Sequence, residues 1–280
     1  MKQTHSSHHP IGIFDSGVGG LSVLKAIRRE LPREHILYLG DQAHIPYGSR
    51  SKSQVREFSV AITRYLLSRG AKLIVVACNT ASAAALYDLR RIFPDVSFVG
   101  MEPAVKPAAE TTRSGKVGVL ATPTTFAGDL YASVVERFAK NVEIFKSPCP
   151  GLVEQVEAGA LDAPQTRKIL RDALAPMLEK GIDTVVMGCT HYPFVIPLIQ
   201  SITGEEVRTI DPAPAVARQV RRLLSQQDLL NEGEEKGKLW FYTSASPRDL
   251  QTLLPRLLGE TGRVLPVHWT DDSTVKLGLP

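Results

Sequence analysis

The sequence predicts an α/β fold made of two related parallel-sheet subdomains with an active site between them. Apolar, β-branched runs of strand length alternate with amphipathic stretches of helix length, which is typical of parallel sheets with crossover helices. A strand-end motif also occurs once in each half of the chain. The chain has 280 residues, so at about 150 residues per domain its length favours two domains.

The apolar runs place the elements in order along the chain. The predicted strands are Ile11–Phe14, His35–Leu39, Leu73–Ala77, Lys116–Ala121, Val142–Phe145, Thr184–Met187, Arg208–Ile210 and Leu239–Thr243. Helices are predicted between them, and Pro32 and Pro94 end two of these. The clearest helix begins near Ser53, carries apolar residues at steps of three and four up to Leu66, and has Gly70 placed to cap its end. The charged stretch 226–238 is predicted to be a surface loop.

An internal repeat supports two related halves. The run IVVACNT at residues 74–80 is echoed by VVMGCTH at residues 185–191, and each puts a cysteine just past an apolar strand. A second echo, IGIFDS against VGVLAT, has a similar offset. We therefore predict a discontinuous first subdomain of residues 1–98 and 208–280 and a second subdomain of residues 99–207.

The two repeated cysteines, Cys78 and Cys189, are the first candidates for chemistry. Ligands of open α/β sheets bind beyond the carboxyl ends of the strands, where both cysteines are predicted to lie. The positive end of a helix dipole favours the thiolate form of a cysteine at that position. Cys149 lies between two prolines, has no echo and has no evident activating neighbour, so we predict no chemistry for it.

Polar residues follow other strands as well. Asp15 and Ser16 lead into a glycine-rich loop at residues 17–20, whose backbone could approach a ligand closely. A dinucleotide fingerprint would need a third glycine at Ser22, so a small anionic group fits this loop better than a nucleotide. Asp41 follows the second strand, ahead of a predicted turn at residues 46–49.

The presence of one thiol in each half, Cys78 and Cys189, favours some cysteine-dependent reactions over others. An acyl-transfer enzyme needs one thiolate with a base, and redox cysteines usually lie close in sequence. Inversion of a stereocentre by proton transfer needs a base on one face and an acid on the other, with the roles exchanged in the reverse reaction. The repeat therefore favours proton transfer at carbon.

Four motifs carry a family resemblance. They are DSGVGGL at residues 15–21, GD with PYG at 40–41 and 46–48, ACNTA at 77–81, and GCTHYP at 188–193. Together they resemble glutamate racemase, in the aspartate/glutamate racemase superfamily, over roughly residues 11–270. The pair Thr190-His191 favours glutamate, because aspartate racemases typically carry Thr-Glu there. Residues 42–44 depart from what the family often has, which concerns the rim of the site.

The resemblance implies an isomerase that interconverts L- and D-glutamate without pyridoxal phosphate or another cofactor and without a metal. It would supply D-glutamate for peptidoglycan, and so for cell wall biogenesis and cell shape. Cys78 and Cys189 would be the acid/base pair, assisted by Asp15 and His191 respectively. The substrate-binding residues implied are Asp15, Ser16, Tyr47, Gly48, Asn79, Thr80, Thr190 and His191, and the supporting carboxylates are Asp41 and Glu157. The family usually forms homodimers.

Composition excludes several other classes. The net charge is +4 with scattered basic residues, which does not call for nucleic acid. No apolar run reaches the roughly 18 residues of a membrane span, and residues 1–10 lack a signal-peptide core, so we expect a cytoplasmic protein. Three cysteines give neither a disulfide framework nor a zinc pattern.

Three other functions remain open from the sequence. A sister enzyme could act on aspartate, hydantoin or maleate with the same cysteines, although His191 and the PYG turn count against it. A binding module could hold an acidic metabolite without turnover, although two matched thiols count against that. A thiol hydrolase would need only one of the cysteines.

Overall fold

The computed structural model describes residues 6–270 and 276–278. Its strands are β1 (Ile11–Asp15), β2 (Ile36–Gly40), β3 (Leu73–Val76), β4 (Phe98–Val99), β5 (Lys116–Ala121), β6 (Glu143–Ser147), β7 (Thr184–Gly188), β8 (Arg208–Ile210), β9 (Leu239–Thr243), β10 (Val264–Pro266), β11 (His268–Thr270) and β12 (Lys276–Gly278). Each of the eight predicted strands is present to within about two residues, the usual uncertainty of such boundaries.

Helices fill most of the connections between strands. They are α1 (Leu21–Glu30), α2 (Lys52–Ser68), α3 (Asn79–Ile92), α4 (Val105–Thr111), α5 (Pro123–Phe126), α6 (Asp129–Phe138), α7 (Leu152–Glu157), α8 (Pro164–Glu179), α9 (Ile196–Thr203), α10 (Ala213–Gln226) and α11 (Pro247–Leu257). The helix predicted near Ser53 is α2. Ser51 and Gln54 cap its start by exchanging hydrogen bonds, which satisfies amides that a helix start leaves unpaired.

The first compact unit comprises the described residues up to Met101 and from Ala213 onward. Its six-stranded sheet has the order β10-β9-β2-β1-β3-β4, and every neighbouring pair is parallel. The inner strands are buried throughout, as expected when helices cover both faces of a parallel sheet. Residues at the carboxyl ends are aligned, with Asp15 opposite Gly40 and Gly40 opposite Thr243.

The second unit comprises residues Glu102–Pro212. Its four-stranded parallel sheet has the order β6-β5-β7-β8, and Ala121 of β5 lies opposite Gly188 of β7. The predicted return to the first subdomain at residue 208 differs from the structure, because Arg208–Ile210 pairs with β7 in this second sheet. The short crossover through α9 places that strand beside β7, and α10 begins the return.

The sequence missed four short strands. Strand β4 has only two residues, and β10 to β12 have three each, too few to show an alternating pattern. Strands β11 and β12 form a separate antiparallel pair after the first sheet. The stretch predicted as a loop, 226–238, begins at the end of α10 and is otherwise without helix or strand. Within the described residues, no helix is both long and apolar enough to span a bilayer.

Candidate active site

The first cluster surrounds Cys78, which lies between β3 and α3. Cys78 is the residue that caps the start of α3, and its Sγ accepts a hydrogen bond from the Ala81 amide at 3.4 Å. The side chain is 5% exposed, and Asn79 and Thr80, the first residues of the helix, are also buried. The predicted thiol at a helix start is therefore present, with the positive end of the α3 dipole directed at the sulfur.

Ser16 links this thiol to Asp15 at the end of the neighbouring strand β1. The Ser16 hydroxyl lies 3.5 Å from Asp15 Oδ1 and 4.0 Å from Cys78 Sγ. Both distances are long for hydrogen bonds, so the three groups are neighbours without being locked together. Asp15 is fully buried, and its carboxylate accepts a hydrogen bond from the Gly17 amide at 2.8 Å.

Asn79 has a buried side chain that is only 3% exposed. Neither its amide oxygen nor its amide nitrogen has a hydrogen-bond partner within the part of the chain that the structure describes. Leaving such atoms unsatisfied costs about 1–3 kcal/mol each, so they are rare in folded proteins. An unsatisfied amide beside a buried thiol is suited to a polar ligand.

In the glycine-rich loop, the backbone groups of Gly17 make hydrogen bonds to other residues of the protein. The Gly17 amide donates to Asp15, and the Gly17 carbonyl accepts the Tyr38 hydroxyl at 2.5 Å. A Cβ on Gly20 would lie 2.6 Å from the Asp15 Cβ, so a larger residue would displace that side chain. The loop therefore fixes Asp15, a role that the comparison with a dinucleotide fingerprint did not indicate.

Asp41 and Tyr47 form a second part of the first-sheet cluster. Asp41 follows β2 and is fully buried, and its Oδ2 accepts the Tyr47 hydroxyl at 2.7 Å. Burial, followed by the charge and hydrogen bond of Asp41, raises the pKa of Tyr47 well above its usual value, so the phenol stays protonated and donates. Gly48 follows in the same short 3-10 turn, Tyr47–Ser49.

The cluster of the second unit surrounds Cys189, which follows β7. A Cβ on the preceding Gly188 would lie 2.8 Å from the Leu120 carbonyl oxygen, so this strand end requires glycine. The cysteine is 7% exposed, and the adjacent Thr190 is buried. No long helix begins here. A 3-10 turn, Tyr192–Val195, comes before α9, so the helix dipole expected from the sequence does not act directly on this sulfur.

At Cys189, the group beside the sulfur is the side chain of His191 and not the start of a long helix. Its Nδ1 lies 3.7 Å from Cys189 Sγ, and its Nε2 lies 2.6 Å from Glu157 Oε1 at the end of α7. Burial lowers the pKa of His191, but the hydrogen bonds and charges of Cys189 and Glu157 outweigh it and raise that pKa well above its usual value. The imidazole ring therefore carries a positive charge at neutral pH, and this charge lies beside the Cys189 sulfur.

Cys149 lies in the same unit but in a different environment. Burial raises its pKa to about 11, with the Ser147 hydroxyl opposing and the charge of Cys189 adding to the effect. It is therefore a protonated, unreactive thiol at neutral pH. Its backbone has a left-handed φ of 44°, and the Tyr192 hydroxyl donates to the carbonyl of Pro148 beside it. The expectation that Cys149 does no chemistry agrees with this environment.

The structure thus arranges the predicted residues in two groups, each within its own unit. Asp15, Ser16, Asn79 and Thr80 lie around Cys78, with Asp41, Tyr47 and Gly48 at the same sheet edge. Thr190, His191 and Glu157 lie around Cys189. Within the described residues, no group of three or more histidine, cysteine, aspartate or glutamate side chains could hold a metal ion.

Sequence reasoning missed three residues at these sheet edges. Thr125 is buried in the short helix α5 that follows β5, and its hydroxyl lies 3.0 Å from that of Thr122. Ser244 and Trp269 both contact Asp41. Ser244 could have been found as the polar residue directly after a predicted strand, whereas nothing in the sequence pattern points to Trp269.

Comparison with known proteins places this chain among racemases. The family model for Asp/Glu/Hydantoin racemase matches residues 11–220. A glutamate racemase of Roseiflexus sp. (strain RS-1) is 52% identical over 252 residues, which cover 90% of this chain and 93% of that protein.

Solved structures show the same similarity. A glutamate racemase isoform from Bacillus anthracis aligns with a TM-score of 0.84 at 32% identity, over 96% of this chain and 100% of that one. A glutamate racemase from Francisella tularensis, solved in complex with D-glutamate, aligns with a TM-score of 0.81 at 30% identity, over 95% of this chain and 99% of that one. The similarity agrees with the resemblance carried by the four sequence motifs.

Proposed function

Because this chain belongs to the Asp/Glu/Hydantoin racemase family, we propose that it interconverts L-glutamate and D-glutamate by a two-base mechanism. Family membership makes it a racemase, and the substrate is inferred from its relatives. The Roseiflexus relative is named a glutamate racemase, and the Francisella structure contains D-glutamate. The motif Thr190-His191 supports the same substrate.

One observation carries the mechanism: a buried cysteine lies at a strand end in each unit, each with a hydrogen-bond donor or a charged ring beside its sulfur. Cys78 has the start of α3 and the Ala81 amide. Cys189 has the charged His191 ring at 3.7 Å. A single-thiol reaction would leave one of these arrangements without a use.

The reaction proceeds by proton transfer at the α-carbon. One cysteine, as thiolate, removes the α-proton, so the C–H bond breaks and its electron pair stays on the carbon. The other cysteine, as thiol, donates its proton to the opposite face and forms the new C–H bond. The first cysteine is then the thiol and the second the thiolate, which is the starting state for the reverse reaction. This mechanism requires both cysteine clusters to act on the same bound glutamate.

The α-proton of an amino acid is a very weak acid, so the site must stabilise the carbanion-like transition state. The Asn79 amide is buried and has no hydrogen-bond partner among the described residues, so it is available to the substrate. We assign substrate binding to it together with Asp15, Ser16, Tyr47, Gly48, Thr80, Thr190 and His191. Fixed donors of this kind need no reorganisation during the reaction.

The assisting groups have different tasks in the two clusters. His191, held by Glu157 at 2.6 Å, keeps a positive charge beside Cys189 and can pass a proton to it. Asp15 assists proton transfer at Cys78, and the Ser16 hydroxyl is the common neighbour of the two side chains. Asp41 is a supporting carboxylate, because both of its oxygens already accept hydrogen bonds from other side chains of the protein.

The wider role follows from the reaction. We assign the enzyme to the cytoplasm, acting without pyridoxal phosphate, another cofactor or a metal, since the two thiols supply both the base and the acid. Its product, D-glutamate, would be used for peptidoglycan and so for cell wall biogenesis and cell shape. We expect a homodimer in solution.

Proton NMR in D2O tests the reaction directly. Purified protein in buffer without added cofactor is mixed with L-glutamate, and the α-proton signal is followed; D-glutamate is then used. We expect the α-proton to be lost from both enantiomers, because each is deprotonated by one of the two cysteines. Signals retained in both would contradict the proposal and would direct the same assay to aspartate, hydantoin and maleate.

A further inference from the structure

Asp41 is the centre of a buried network in the first unit. Its side chain is fully buried and accepts hydrogen bonds from four different side chains. Oδ2 accepts the Tyr47 hydroxyl at 2.7 Å and His44 Nδ1 at 2.9 Å. Oδ1 accepts the Ser244 hydroxyl at 2.6 Å and the Trp269 indole N–H at 2.8 Å. A carboxylate with this many donors is held in one orientation.

The donors come from parts of the chain that are far apart in sequence. Tyr47 and His44 follow β2, whereas Ser244 follows β9, which pairs with β2 in the same sheet. Trp269 belongs to β11, near the end of the described chain. Asp41 therefore joins the turn at Tyr47 to the carboxy-terminal part of the unit.

Aromatic packing fixes Trp269 in its place. The Trp269 ring meets the Phe58 ring edge to face at a centroid distance of 5.3 Å and the His44 ring at 4.8 Å. The Phe58 ring in turn stacks on His44 at 4.0 Å and lies 5.7 Å from the Tyr47 ring. Contacts of this geometry add to the stabilisation from burial and restrict the indole to one direction.

We propose that Trp269 is a positioning residue for the turn at Tyr47 and Gly48, acting through Asp41. The indole N–H and the Ser244 hydroxyl hold one carboxylate oxygen, and the other oxygen holds the Tyr47 hydroxyl. This inference rests on the proposed function, in which Tyr47 and Gly48 of the turn bind the substrate. Donors from the protein already occupy both oxygens of Asp41, so we assign it a positioning role and no part in proton transfer.

The expected effect is on substrate binding rather than on proton transfer. Loss of the indole N–H leaves Oδ1 with the Ser244 hydroxyl and a contact to His44 Nδ1, so the carboxylate is held less tightly, and so is the turn at Tyr47. The turn meets the substrate in the ground state and the transition state alike, so KM rises while kcat changes little. Loss of one hydrogen bond to a charged group corresponds to about a tenfold change in a binding constant. We therefore expect an increase in KM of this size for Trp269→Phe.

The experiment compares two tryptophan variants of the full chain. Trp269→Phe keeps an aromatic ring against Phe58 and His44 but removes the N–H. Trp240→Phe is the matched control, since Trp240 of β9 packs against His35 at 5.8 Å and is the other tryptophan of the chain. Racemisation rates give kcat and KM, and thermal melting of each variant reports its stability. We expect KM to rise about tenfold in Trp269→Phe and to stay within twofold in Trp240→Phe.

A double-mutant cycle separates positioning from a general loss of structure. If Trp269 acts through Asp41 on Tyr47, the variant carrying Trp269→Phe and Tyr47→Phe has nearly the KM of Tyr47→Phe alone. Ser244→Ala, which removes the other donor to the same oxygen, raises KM as well and serves if Trp269→Phe does not fold. KM increases that simply multiply would overturn the proposal.

Two failures can be told apart. A wild-type chain that leaves the α-protons of both glutamate enantiomers in place contradicts the proposed function and this inference with it. An active wild type with unchanged KM in Trp269→Phe and Ser244→Ala overturns the positioning role alone. A lower melting temperature without a change in KM has the same meaning, because it shows a structural role only.

Discussion

The two cysteines occupy equivalent places in the two sheets but are activated in different ways. Cys78 caps the start of a helix of 14 residues, and its sulfur accepts a hydrogen bond from the Ala81 amide at 3.4 Å. Cys189 is followed only by a short 3-10 turn and has instead a charged histidine at 3.7 Å, paired with Glu157. The nearest group to the first sulfur is a fixed helix start, and the nearest group to the second is a histidine ring that titrates.

The comparison shows that a repeat in sequence does not imply a repeated chemical environment. Both halves keep the strand, the cysteine and the polar residues after it. The half with His191 has its proton carrier directly beside the thiol, whereas Asp15 of the other half is reached from Cys78 only through the long contacts of the neutral Ser16 hydroxyl. We therefore expect the two clusters to respond differently to equivalent substitutions.

Removal of either repeated thiol gives the largest expected effect. Cys78→Ala and Cys189→Ala should each abolish racemisation, because the reaction needs an acid and a base on opposite faces. The conversion of L- to D-glutamate is measured by chiral chromatography. Cys149→Ala is the matched control, since its protonated thiol has no part in the reaction. Racemisation that survives the loss of either paired thiol would contradict the two-base mechanism.

Substitutions at His191 and Ser16 test the difference between the clusters. His191→Asn should lower kcat/KM by about 10²- to 10⁴-fold, the usual contribution of a positioned proton-transfer group. Ser16→Ala should cost less, about tenfold, because its contacts at 3.5 and 4.0 Å are weak. Both variants are compared in both directions of the reaction. Equal losses in the two variants would show that the clusters are equivalent after all.

Asn79, next to Cys78, has a buried amide without a hydrogen-bond partner among the described residues. Its replacement separates an effect on substrate binding from an effect on the stability of the fold. Asn79→Ala should raise KM about tenfold through the lost contact to the charged substrate. Its melting temperature should not fall, since the buried amide has no partner to lose among the described residues. Thr63→Val is the control: the Thr63 hydroxyl is likewise buried and without a partner among the described residues, but Thr63 lies in α2 and is not one of the proposed substrate-binding residues.

A lower melting temperature for Asn79→Ala would mean that the amide has a structural partner in the protein. An unchanged KM would remove Asn79 from the substrate-binding residues. For Thr63→Val, only the melting temperature should change, and it should rise, because removal of an unsatisfied buried hydroxyl is stabilising.

The sequence could predict this fold because its strands are long, apolar and regularly spaced. It could also place Asp15, Cys78 and Cys189, since each lies at the end of such a strand or within two residues after it. It could not predict the contacts of Asp41, because Ser244 and Trp269 come from elements far along the chain. Nor could it give the contact between His191 and Glu157, which depends on how α7 packs beside the Cys189 turn. Local patterns identify strand ends, but pairings between distant segments depend on tertiary packing.

The smallest predicted effect, a shift in pH dependence, concerns the group that sets the second cluster apart. The raised pKa of His191 means that its charge is kept below and through neutral pH and is lost as the pH rises through that value. Glu157→Gln removes the carboxylate at 2.6 Å, which lowers the pKa of His191. The alkaline limb of the kcat/KM profile should therefore move to lower pH, with a loss of only several-fold at neutral pH.

Glu154→Gln is the matched control for this shift, because it removes an exposed negative charge from the same helix without touching His191. Its profile should overlay that of the wild type. A shift in both variants would assign the effect to the general charge of α7, and no shift in Glu157→Gln would show that another group sets the alkaline limb. A shift in Glu157→Gln alone would establish that the activity of one half of this racemase titrates with a histidine that the other half lacks.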